Sequence, residues 1–194
     1  MEPLFPTIDQ GKLDELAIEV VKKSAALSGA LHPITRNSVR ELLRTMNSYY
    51  SNLIEGHATN PIDIEKAVQG DYSMEPSKCA LQIESAAHIE VQKLLEARLE
   101  QDLETDICKP DFLCWIHKEF YDRLPGEFRK VKDEGGGPDK IVIPGQIRDS
   151  DVKVGQHIAP FSKSLPVFLR RFDEVYSAPM NDVRKIVAAA ASHH

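Results

Sequence analysis

Three stretches hold the residues best equipped for chemistry: Ser51-Asn52-Leu53-Ile54-Glu55-Gly56, the segment 144–160 with its single His157, and the glycine run Gly135-Gly136-Gly137-Pro138. An α-helix advances about 100° per residue, so Ser51 and Glu55 share one face. That face lies away from the apolar stripe Val39, Leu42, Leu43, Met46, Tyr50, Leu53 and Ile54. The spacing predicts a carboxylate free to meet a group outside the core of its own helix. Glu55 also falls in the last turn, where the negative end of the helix dipole disfavours a carboxylate by about 0.3–1 kcal/mol. A residue that breaks a local rule invites a functional explanation, and the plain alternative is a solvated Glu at a frayed helix end. His157 reads as a surface or hydrogen-bonded side chain of a turn-rich segment rather than as a base. The glycine run lacks the closing Gly-Lys-Ser/Thr of a phosphate loop and reads as a flexible connection.

The elements that must position these groups are mostly helical. Leu13, Leu16, Ile18, Val20, Val21 and Leu27 recur at helical spacing from Asp9 to Leu27, and a loop is expected around His32-Pro33. The clearest amphipathic helix follows, capped at its start by Asn37 or Ser38 and ended by Gly56. A short helix from Pro61 to Val68 stops at Gly70. A long one, Pro76 to Gln101, carries Ile83, Ala87, Val91, Leu94 and Leu95 on or near one face. Pro110 suits the first turn of a helix through Arg123 that turns Leu113, Ile116 and Phe120 inward, and Pro125-Gly126 breaks it. From 127 to 160 the pattern alternates, with Ile141 and Ile143 before Pro144-Gly145 and Val152 and Val154 after it, which predicts the one stretch of β structure. Helices at Leu165–Tyr176 and Asp182–Ala191 complete the reading, the last capped by Asn181 and expected to lead into further chain.

Composition narrows the function classes. A formal charge of −6 provides no broad basic footprint, so neither nucleic acid nor a membrane surface is an expected partner. Cys79, Cys108 and Cys114 form no paired motif, so a reducing, cytoplasmic setting without disulfides or zinc is expected.

Ser51 to Gly56 is similar to the inhibitory motif of Fic-family proteins: Ser or Thr, three residues, then Glu followed by Gly or Asn. The segment 144–160 resembles that family's flap, a β-hairpin that holds a target peptide as an added strand. Val187 to His194 looks like the alanine-rich lead-in to the family signature His-Pro-Phe-x-x-Gly-Asn-Gly-Arg, which the chain does not contain. The resemblance implies a mainly α, Fic-like helical bundle with a small β-hairpin flap. It divides the chain into an N-terminal helical region at 1–60 and the front of a Fic domain at 61–194, with the flap at about 127–160. It also implies transfer of AMP from ATP, with Mg²⁺, to a hydroxyl of a target protein. Glu55 would then inhibit by holding the signature arginine, with Ser51 and Gly56 shaping the helix end. Val152, Lys153, Val154, Gly155 and His157 would dock the target. The catalytic groups would lie on a further C-terminal segment, so this chain alone is expected to be inactive and to bind ATP and Mg²⁺ weakly. A homodimer through helices is compatible with the same resemblance. Two alternatives stay open: a stand-alone, antitoxin-like inhibitory module acting on a separate Fic chain, or the same fold moving another phosphate-containing group or removing AMP.

Overall fold

A computed structural model describes residues 5–7, 9–132, 139–154 and 157–192, with Val154 and His157 described by backbone alone. The protein is mainly helical: α1 (Gln10–Ala30), α2 (Pro33–Ile54), α3 (Pro61–Val68), α4 (Pro76–Gln101), α5 (Pro110–Asp122), α6 (Leu165–Tyr176) and α7 (Asp182–Ala191). Among the described residues four two-residue strands accompany them: β1 (Lys130–Val131), β2 (Lys140–Ile141), β3 (Lys153–Val154) and β4 (His157–Ile158). The chain packs as two compact units that alternate along the sequence.

The unit formed by Pro33–Thr105 and Trp115–Gln146 is built on α2, α3 and α4. The expected loop at His32-Pro33 is narrower than predicted, because Pro33 opens α2 directly. Pro is tolerated in a first turn, where its missing N–H would have no partner anyway. Ser38 is therefore interior to the helix, with its hydroxyl donating to the Ile34 carbonyl 3.3 Å away instead of capping.

The larger departure concerns which side of α2 packs. Its buried residues are Arg44, Thr45 and Ser48, whereas Leu42, Leu43, Tyr50, Leu53 and Ile54 are each at least half exposed. Five of the seven residues read as a core face point outward, with Val39 and Met46 half-buried, and the polar face meets α4. Polar rungs join the two antiparallel helices: Arg40 Nη1 to Glu100 Oε1 at 3.0 Å, the Arg44–Glu96 pair, Asn47 Nδ2 to Gln92 Oε1 at 3.3 Å and Asn52 Nδ2 to Ser85 Oγ at 2.9 Å. Small, buried Ser48 and Ser85 line the same seam.

Apolar burial in this unit centres on α3 and α4, where Ile64, Ala67, Ala87, Ile89 and Val91 are buried. Ala87 and Val91 were expected there. Gln82 is 4% exposed and uses both ends of its amide: Oε1 accepts from the Ser73 N–H at 2.6 Å and Nε2 donates to the Asp63 carbonyl at 2.8 Å. It fastens the loop before α4 to α3. Beyond α4, the Arg98 guanidinium lies over the Trp115 ring at 4.2 Å, in reach of a cation–π attraction.

The expected β stretch at 127–160 holds two antiparallel pairs rather than one among the described residues, and the hairpin expected within 144–160 is the β3–β4 pair. β1 pairs antiparallel with β2, matching Lys130 with Ile141, and β3 pairs separately with β4, matching Lys153 with Ile158. The turn at Gly145, whose φ is 78°, closes by a Gln146 N–H to Ile143 carbonyl bond of 3.1 Å and docks on α5. It is not a turn between paired strands.

The other unit comprises Met1–His32, Asp106–Cys114 and Ile147–His194. Here α1 packs on α7, with buried Ala17 and Ala188 allowing close approach. Asn181 caps α7 as expected, accepting from the Arg184 N–H at 2.9 Å. Phe112 is the buried aromatic of α5, while Leu113, Ile116 and Phe120 are half-buried. No helix among the described residues is long and apolar enough to cross a membrane.

Candidate functional site

Glu55 stands at the end of α2 because of how that helix stops. The His57 N–H donates to the Asn52 carbonyl at 2.8 Å and the Gly56 N–H to the Leu53 carbonyl at 3.1 Å, with Gly56 left-handed at φ 78°. This is a Schellman closure, in which glycine adopts the left-handed conformation at the lowest cost. Helix α3 ends the same way, through Asp71 to Lys66, Gly70 to Ala67, and Gly70 at φ 83°. The expected stops at Gly56 and Gly70 are therefore present, and each has a defined geometry.

Glu55 is the residue just before the left-handed glycine, and its side chain is exposed, as is that of Ser51. Among the described residues no ion pair joins its carboxylate. The sequence-based reason for its availability needs correcting. On the wheel, Glu55 lies near Ser48, hence on the side of α2 that packs, since the apolar stripe faces out. What frees its carboxylate is its place beyond the last helical turn.

The base of α2 is held by an ion-pair cluster that sequence reasoning missed. Arg44, 9% exposed, donates from Nε to Glu96 Oε1 at 3.1 Å and from Nη2 to Glu96 Oε2 at 2.6 Å, while Nη1 faces Glu41 Oε1 at 2.7 Å. Lys93 adds a contact to Glu41 at 3.3 Å. The Arg44 guanidinium holds the Glu96 and Glu41 carboxyls below the usual range, and Glu96 in turn raises the Arg44 pKa. The signal was available: Arg40, Arg44 and Asn47 recur at helical spacing on α2, and Gln92, Glu96 and Glu100 do so on α4. Beside this cluster a groove of about 300 Å³ lies between α2, α3 and α4, with Glu41, Thr45, Glu65, Gln69 and Ile89 among its lining.

The residues expected to dock a target fall on a ribbon in the other unit. Val152 is half-buried, Lys153 is exposed, and Val154 and His157 occupy paired backbone positions of β3 and β4. Gly155 lies outside the described residues. Arg148 closes the ribbon's base by donating to the Ser150 carbonyl at 2.7 Å and to the Pro160 carbonyl. The Ser162 N–H donates to Asp151 Oδ1 at 2.7 Å, which holds the Asp151 carboxyl below its ordinary value. The outer edge of β3 has no strand partner among the described residues.

A further polar cluster lies where α6 ends. Ser177 Oγ sits 2.6 Å from Asp106 Oδ1 and 2.7 Å from Asp173 Oδ1. Burial raises the nearby Cys108 thiol, an environment that suits an unreactive cysteine. Among the described residues no three His, Cys, Asp or Glu side chains assemble as a metal site. Neither a family model, nor a curated protein, nor a solved structure matches this chain.

Proposed function

We propose that this chain is the regulatory and target-docking portion of a Fic-family protein AMP-transferase, with Glu55 as its inhibitory carboxylate. The observation that carries the reading is the exposed Glu55 carboxylate, which no ion pair joins among the described residues, set at a fixed helix end by the left-handed Gly56. Such a group can form a bidentate pair with an arginine, whose planar fork matches a carboxylate. The arginine would come from the signature, which also carries the general base and the residues for ATP and Mg²⁺. The open outer edge of β3 supports a docking role, because unpaired backbone N–H and C=O groups accept an extended peptide by strand addition.

The test is transfer of labelled AMP by the complete, signature-containing protein. Replacing Glu55→Gly should raise incorporation about 10- to 100-fold, the worth of one charge-assisted pair. Equal labelling with and without the substitution would reject the inhibitory role. A reading frame that runs past His194 without the signature would reject the assignment to one catalytic chain. A second reading, a stand-alone inhibitory module that lends Glu55 to a separate catalytic chain, draws support from the outward apolar stripe of α2, a face suited to cover by another protein.

A further inference from the structure

The contact between α5 and the turn before the ribbon carries an inference that does not depend on the function proposed above. The Gly145 N–H donates to His117 Nδ1 at 2.9 Å. A ring nitrogen that accepts carries no proton, so the neutral imidazole holds its hydrogen on Nε2. A second proton could enter only at Nδ1. It would place an N–H against the Gly145 N–H and replace an attraction with two opposed donors. We infer that His117 is a proton-operated latch that fastens the Ile143–Gln146 turn to α5 when neutral and releases it when protonated.

The surroundings suit a latch of this kind. From α5 itself, Tyr121 lies against the imidazole with ring centroids 4.6 Å apart. From the turn, the group that faces it is the Gly145 amide. The His117 pKa is lowered by burial, and no charged side chain contributes to the shift. The sign follows from linkage. The closed turn favours the neutral ring, so its stabilisation is full above the ordinary histidine value of about 6.5. It declines as pH falls from there through the lower value of the closed state. Gly145 suits the receiving end, because its left-handed φ of 78° turns its N–H toward the ring without the strain a side chain would add.

The experiment is amide hydrogen exchange on the full chain by ¹H–¹⁵N NMR between pH 7.5 and 5, corrected for intrinsic exchange. Gly145 protection should fall about fivefold on acidification, the worth of one hydrogen bond, with the midpoint of the His117 ring resonances. His117→Asn, which keeps an acceptor at the Nδ1 position and does not titrate, should hold the neutral-pH protection throughout. His117→Phe should show low protection at every pH. Wild-type protection that is flat across this range would overturn the latch, as would an Asn variant that loses protection on acidification like the parent. The second outcome would assign the pH effect to another group, such as the half-buried His88 of α4.

Discussion

Replacing Arg44 by Met tests whether α2 is fastened through its polar face. A fully buried ion pair loses about 3–5 kcal/mol when one partner is removed. Here the Glu96 side chain is 39% exposed and that of Glu41 is 60% exposed, so both carboxylates can rehydrate. What remains is the loss of two charge-assisted hydrogen bonds in a seam where Arg44 itself is 9% exposed, about 2–3 kcal/mol. With a urea slope of about 1.5 kcal/mol/M for a unit of this size, the midpoint should fall by about 1.3–2 M. Urea is the denaturant of choice because guanidinium would screen the pair under study. The sole tryptophan, Trp115, sits under Arg98 and reports the transition of this unit by fluorescence. The companion substitution is Leu43→Ser. At 53% exposure it should change stability by no more than about 0.5 kcal/mol, whereas a core leucine would lose about 2–5 kcal/mol when cut back. Adding Glu96→Leu to Arg44→Met should recover only part of the loss, through apolar contact between the two new side chains, because a rehydrated Glu96 leaves little charge penalty to relieve. A silent Arg44→Met beside a damaging Leu43→Ser would refute the polar seam and put the apolar stripe back in the core.

Two further substitutions test the helix scaffold around Glu55. Ile64→Ala, at a residue 1% exposed on α3, should destabilise the same unit by about 2–5 kcal/mol in the urea experiment. Gly56→Ala should cost about 1–2 kcal/mol through the left-handed backbone alone, because a Cβ there would meet nothing within 4 Å. Under the function proposed above, the same substitution in a signature-containing protein should raise AMP transfer in part, below the rise given by Glu55→Gly.

Helix positions were legible because their punctuation is explicit. Pro61, Pro76 and Pro110 open helices, Gly56 and Gly70 close them, and Asn181 caps α7, all through local chemistry that needs no tertiary partner. The buried face of α2 was not legible by the same means. Periodicity locates an apolar stripe without saying whether that stripe is covered, and here the matched polar rows of α2 and α4 do the joining. Reading complementarity between helices, rather than amphipathicity within one, would have found Arg44 and Glu96. The strands were legible in part. Alternation marked 127–160 as β structure with a hairpin within 144–160, which β3 and β4 form, whereas the pairing of β2 back to β1 rests on a contact that periodicity does not reveal. For the site, the sequence located Glu55 correctly at a helix end. It could not reveal the Gly145–His117 contact, whose partners stand far apart in the chain.

The amide of Gln82 makes one junction of the fold depend on a single nitrogen. A carboxylate in its place would keep the acceptor that serves Ser73 but delete the donor that serves Asp63, and would set a negative charge at a site closed to water. A chain carrying Gln82→Glu would come apart first where α3 meets α4.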